Sequence, residues 1–245
     1  LQMVGEIHGY RCYRRGPVGG RGADDRLAVG ARAFRTIAAR QLRVQPPHGP
    51  PGPDSRRSFL KVLQARSARP LEPRDCEPLA AIAPHLVLVF GACQRLLEPG
   101  LLDTLKRALP NAELVGCSTA GEISQHGVSD NQLVLTAVAF ERPGLQVATT
   151  DLASMDDSRA AGQRLGQTLA RGGLHHVLVF GQGVSINGSA LIAGLYDALS
   201  ASVQISGGLA ADGGAFTGTL TLSRGGVSHR QLVAVGFDSP TLKVS

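Results

Sequence analysis

The sequence predicts an α/β fold of two β-α-β-β pseudo-repeats whose strands form mixed sheets covered by helices. Three observations predict it. Continuous apolar runs of strand length, such as Leu86-Val87-Leu88-Val89-Phe90, end at glycine, the mark of strands covered on both faces. Stripes at helical spacing lie between these runs. The pattern also recurs: a gap-free shift of 90 residues superposes His85 on His175, Val87-Leu88-Val89-Phe90-Gly91 on Val177-Leu178-Val179-Phe180-Gly181, and Leu101, Leu105, Ala108, Leu109 and Ala120 on Leu191, Leu195, Ala198, Leu199 and Ala210. That is 11 identities in 38 positions over 85–122, and it holds through the helix as well as the strands.

Taken in order, residues 1–80 are compositionally foreign to the rest. They hold nine of the fourteen prolines, and the run 46–53 cannot build a hydrogen-bonded element because proline lacks the donor and fixes φ. Leu27, Ala31, Phe34 and Ala38 recur at helical spacing among arginines, so a short basic amphipathic helix is expected there, a possible arm for a membrane surface or an acidic partner. The blander reading of 1–80 is a disordered tail or an extension translated from upstream, and the folded domain is expected at 81–245. The first repeat is expected over about 84–141: a strand at 86–90, a helix opened by Glu98-Pro99 and ended by Pro110, a strand at 112–115 and another at 132–140. An edge strand at 145–149 and a helix at 156–171 connect to the second repeat, about 174–238. There the pattern predicts a strand at 176–180, a helix at 189–199, and strands at 203–206, 216–222 and 231–237.

Composition excludes several classes. The net charge of +6 belongs to the first third: residues 1–80 balance at +8 and residues 81–245 at −2. With no tryptophan and no basic cluster in the folded part, no nucleic-acid partner is expected. No apolar run reaches the roughly 18 residues of a membrane span and no secretory signal is present, so neither membrane nor export is expected and the cytoplasm is the default location. Cys12, Cys76, Cys93 and Cys117 have no metal-like spacing and read as free thiols, so no metal is expected.

Ligands of α/β folds sit beyond the carboxyl ends of strands. Two such stretches stand out, Gly116-Cys117-Ser118-Thr119-Ala120-Gly121-Glu122 and Ser206-Gly207-Gly208-Leu209-Ala210-Ala211-Asp212, with the loop holding Ser185 and Asn187 beside them. The candidate ligand-binding residues are therefore Gly116, Cys117, Ser118, Thr119, Gly121, Glu122, Ser185, Asn187, Gly207, Gly208 and Asp212. The shift of 90 places Glu122 on Asp212, so the two acids either bracket one pocket or each satisfy their own turn. Nucleotide fingerprints fail, since Ile186 stands where a third glycine is required after Gly181 and Gly183. A cysteine- or serine-dependent hydrolase would use Cys117 or Ser118 with His126 or His229 as base; the blander reading makes Cys117 a packed core residue, and no catalytic residue is assigned.

The run 86–90, the Gly116-Cys117-Ser118-Thr119-Ala120-Gly121-Glu122 segment and the second glycine loop together resemble the N-terminal part of the FIST family, over residues 81–245. The resemblance implies a non-catalytic sensory module of bacterial signal transduction that binds a small ligand, such as an amino acid or small carboxylate, and acts on a histidine kinase or a cyclic-di-GMP enzyme. It also implies an alternative, because NosP-like members bind haem and sense nitric oxide. Haem needs an axial ligand; His126 and His229 are candidates by sequence position alone, and none is assigned. Family members carry an Ala-rich strand and helix where this chain has its proline-broken segment, and they continue into a C-terminal FIST half. The sequence stops at Ser245, near where that half would begin, so an incomplete ligand site is expected.

Overall fold

A computed structural model describes residues 40–42, 60–124 and 127–238. The expected helix at 27–38, the proline run 46–53, Cys12 and His126 lie outside the described residues.

The elements are β1 (Arg40–Leu42), β2 (Leu60–Ser67), α1 (Pro73–Ala80), β3 (Leu86–Gly91), α2 (Cys93–Leu96), α3 (Leu101–Ala108) and β4 (Glu113–Ser118). A ribbon of β5 (Glu122–Ser124) and β6 (Gly127–Ser129) leads to β7 (Leu133–Phe140) and β8 (Leu145–Asp151). After a 3-10 turn come α4 (Ser158–Leu169), β9 (His176–Gly181), α5 (Gly188–Ala198), β10 (Gln204–Leu209), the hairpin β11 (Thr221–Ser223) and β12 (Gly226–Ser228), and β13 (Gln231–Phe237). They make a seven-stranded sheet, β1-β2-β7-β3-β4-β11-β12, and a four-stranded sheet, β10-β9-β13-β8. Within them β3–β4 and β9–β10 run parallel and the other pairs antiparallel, so the sheets are mixed as the pattern predicts.

Alternation along each apolar strand builds the layers. Val87 and Val89 of β3 pack with Leu79, Leu101 and Leu105 from α1 and α3, while Leu86, Leu88 and Phe90 meet Leu178, Phe180, Val233 and Val235 of the other sheet. On the far side, Val177, Val179, Leu232 and Ala234 pack against Leu165, Leu169, Leu191 and Leu195 of α4 and α5. The order is helices, sheet, sheet, helices, with Phe90 and Phe180 edge to face at 5.6 Å in the middle.

The two repeats are longer than their sequence signal. Each runs strand, helix, strand, helix, strand, hairpin, strand: β2 to β7, then β8 to β13. Residues 60–80 therefore correct the expected boundary at 81: β2 pairs along its whole length with β7, and Leu63, Ala65, Leu71, Cys76 and Leu79 are buried in the first core. The gap-free shift of 90 also needs correction. It holds for β3 and β9, but β4 matches β10 at a shift of 91, because Glu113 faces Leu86 where Gln204 faces His176. An 11-residue loop precedes β11 where three residues precede β5, which moves the hairpins to a shift of 99. There Ser124, Gly127, Val128, Ser129, Gln132, Leu133 and Val134 recur as Ser223, Gly226, Val227, Ser228, Gln231, Leu232 and Val233. The strand expected at 216–222 shortens to β11, because the polar loop turns around Asp212 before it. Glu98-Pro99 precedes the helix start rather than forming it, with left-handed Gly100 leading into α3.

Candidate functional site

Parallel strands β3, β4, β9 and β10 end at one edge of the double sheet, where the loops of both repeats are fastened together. Ser118, the last residue of β4, is the joint. Its N–H donates to the Leu220 carbonyl (2.8 Å), its hydroxyl accepts from the Leu220 N–H (2.9 Å), and its carbonyl accepts from the Ala211 N–H (2.9 Å). Cys93, just past β3, places its Sγ 3.6 Å from the Gly218 carbonyl. Gln182, past β9, is buried: its side chain donates to the Gln231 carbonyl (2.9 Å) and accepts from the Thr219 hydroxyl (2.9 Å), while Thr219 Oγ1 accepts from the Gly183 N–H (2.8 Å).

Gly116 and Cys117 belong to the core rather than to an open loop. A Cβ at Gly116 would run into the Val89 carbonyl oxygen, and one at Gly207 into the Val179 carbonyl oxygen, which makes these two glycines equivalents in the two parallel pairs. Cys117 faces the layer between the sheets, and burial pushes its thiol up to about 12. A thiol so hard to ionise is a poor nucleophile, and the buried Ser118 hydroxyl is held by Leu220.

The two acids do not occupy equivalent places, and each satisfies its own turn. Glu122 is buried, accepting from the Thr119 hydroxyl (2.8 Å) and the Gln132 N–H (2.9 Å). Asp212 accepts from the N–H groups of Phe216 (3.0 Å), Thr217 (2.8 Å) and Gly218 (3.1 Å). These bonds, the Gly218 N–H first, hold its carboxyl below the usual carboxylate range. Asp212 is thus the post around which the 212–218 loop is wound.

Asn187 caps α5, its side chain accepting from the Ala190 N–H (3.0 Å), and its own N–H donates to Ser158 of α4 (2.9 Å). Ser185, exposed and at φ 60°, lies on the same connection. Thr119 and Gly121 sit half-buried between β4 and the β5–β6 ribbon, while Gly207 and Gly208 are exposed. The structure so brings Cys93 and Ser118 to the 211–220 segment and leaves Asn187 to a helix cap. The polar stitches Thr219 and Gln182 had no sequence signal, because a buried threonine or glutamine looks like any loop residue until its partner is placed.

His229 donates from Nδ1 to the Thr219 carbonyl (3.0 Å). The buried histidine of the described residues, His176, lies at the opposite end of β9 from these loops, with Nε2 2.8 Å from the Ser206 hydroxyl. Among the described residues no buried imidazole lies at these strand ends. Among the described residues no group of three His, Cys, Asp or Glu side chains is placed to hold a metal ion, and no helix is long and apolar enough to cross a membrane.

No curated protein matches the chain. The family model of the FIST N domain matches residues 85–245, from the turn before β3 through the second repeat. With that match and the strand-end loops it spans, the chain belongs to the FIST N domain family, a family of sensory modules in signal transduction.

Proposed function

We propose that the chain is a non-catalytic sensory module of the cytoplasm. It binds a small polar ligand, an amino acid or small carboxylate, on the loops at the ends of β3, β4, β9 and β10, and reports occupancy to a signalling partner such as a histidine kinase or a cyclic-di-GMP enzyme. One observation carries the reading: Ser118 ties a loop of the first repeat to Ala211 and Leu220 of the second, so a ligand resting there touches both halves at once. Exposed glycine backbone at Gly207, Gly208, Gly213 and Gly214 lets a small anion approach main-chain N–H groups without side chains in the way. Asp212, its charge already spent on three N–H groups, positions the loop; it does not attract a cation. The buried Cys117 and Ser118 speak against a hydrolase.

The test is a thermal-shift screen of the full chain against amino acids, small carboxylates and haemin. A ligand at 100 times its Kd adds about 2.7 kcal/mol to stability. Gly208→Leu is the control, since a Cβ there meets open space and leaves the fold intact while its side chain obstructs the platform. The reading predicts a stabilising amino acid or carboxylate whose effect vanishes in Gly208→Leu. A hit that survives the substitution, a response to haemin alone, or no response from a cooperatively folded sample would refute it.

A further inference from the structure

The two homologous hairpins have opposite fates. β11–β12 is seated: β11 pairs with the outer edge of β4, placing Leu222 opposite Gly116, and Leu222 is 0% exposed. Val227 packs against the first core, and Arg224 donates to the carbonyls of Leu109, Pro110 and Ala112 at the end of α3. Among the described strands its counterpart β5–β6 forms a separate two-stranded ribbon, and Ile123 and Val128, the counterparts of Leu222 and Val227, are each 77% exposed.

The seat that the repeat provides for β5–β6 is also open. β10, the counterpart of β4, is the outermost strand of its sheet. Leu209 at its end is 48% exposed. Tyr196, 50% exposed, lies on the side of α5 turned away from α4; the α4 side is marked by Gly194 against Arg159 and by the Arg159–Asp197 ion pair. An open strand edge flanked by apolar side chains is a template for pairing with another strand.

We infer that the β5–β6 hairpin of one copy of this chain seats on the β10 edge of a second copy, repeating between molecules the contact that β11 makes with β4 inside one. The register follows from the repeat: Ile123 opposite Gly207, as Leu222 is opposite Gly116, so the seated hairpin and the proposed ligand exclude each other at Gly207 and Gly208. The occupant is a second copy rather than the chain's own hairpin because the base of β5–β6 is pinned where it stands. Glu122 is buried there on the Thr119 hydroxyl and the Gln132 N–H, and the Ser129 hydroxyl donates to the Glu122 carbonyl (3.3 Å). What the hairpin has left to offer is the exposed apolar pair Ile123 and Val128 on its two strands.

Sedimentation velocity of the full chain over a concentration series tests this. Two variants are compared, Ile123→Lys/Val128→Lys on the hairpin and Tyr196→Lys/Leu209→Lys at the edge, all at exposed positions, with circular dichroism and thermal unfolding confirming that each folds. The wild type self-associates, and each variant alone sediments as a monomer over the same range. An equimolar mixture of the two variants regains a heterodimer, because one still carries an intact hairpin and the other an intact edge. A wild type that stays monomeric at all concentrations overturns the inference, as does association that both variants retain or a mixture that stays monomeric.

Discussion

Gly116 and Gly207 show how tightly the parallel strand pairs are built, since at each the neighbouring valine's carbonyl oxygen occupies the space of a Cβ. Gly207 adds a φ of +145°, which L side chains rarely adopt. Gly116→Ala and Gly207→Ala should each lower unfolding free energy by about 1–3 kcal/mol, the usual cost of overpacking, read by urea denaturation. A second residue-scale prediction concerns His176, buried beside Phe237 with no partner for Nδ1 among the described residues. Burial lowers its pKa from 6.5. The unfolded chain therefore takes up the proton first, and the neutral ring's contribution is complete above about pH 6.5 and is lost as pH falls below it. Unfolding free energy should drop between about pH 7 and pH 5, and His176→Gln should flatten that slope. At this scale the glycine loops were legible from their composition. The roles of Glu122 and Asp212 were not, because the acids could be paired only by a gap-free alignment, which the extra residues before β10 and β11 displace.

Strands that are buried on both faces announce themselves, and β3, β4, β7, β9 and β13 could be read directly from their apolar runs. β2 and α1 could not. The inward register of β2 holds Lys61, Leu63, Ala65 and Ser67, a face too small and polar to read as an apolar strand, and α1 carries Pro73 at its start and Pro78 inside. Arg69 on Asp75 (2.8 Å) and the Glu72 N–H on Asp75 (2.9 Å) help hold that helix where propensity alone would not. The α4–α5 pair rests on two other glycines: a Cβ at Gly162 meets the Leu191 carbonyl and one at Gly194 meets the Arg159 carbonyl. Gly194→Leu should force these helices apart and cost about 3 kcal/mol, measured by denaturation, with the near-ultraviolet signal changing before the far-ultraviolet one.

The described residues form two copies of one unit stacked through their sheets, with helices outside and loops fastened at one end. Each copy contributes four equivalent strands to its own sheet, β2-β7-β3-β4 and β8-β13-β9-β10, while the second copy's hairpin joins the first sheet; neither copy can lose its first strand and helix without baring its core. A fragment of residues 81–245, the domain that composition suggests, lacks β2 and α1 and exposes the edge of β7 that β2 pairs with and the apolar core that both elements help close. It should bind a hydrophobic dye and melt without cooperativity, whereas residues 34–245 should melt as the full chain does. Equal cooperative melting of the two fragments would show that residues 60–80 are dispensable. In the proposed function one ligand engages the loops of both repeats. Hydrogen–deuterium exchange of the full chain, titrated with a ligand that raises its Tm, tests it most directly. Peptides covering 118–122 and 207–218 should slow together with a single midpoint; slowing confined to one repeat, or to residues away from these strand ends, would rule out a shared site.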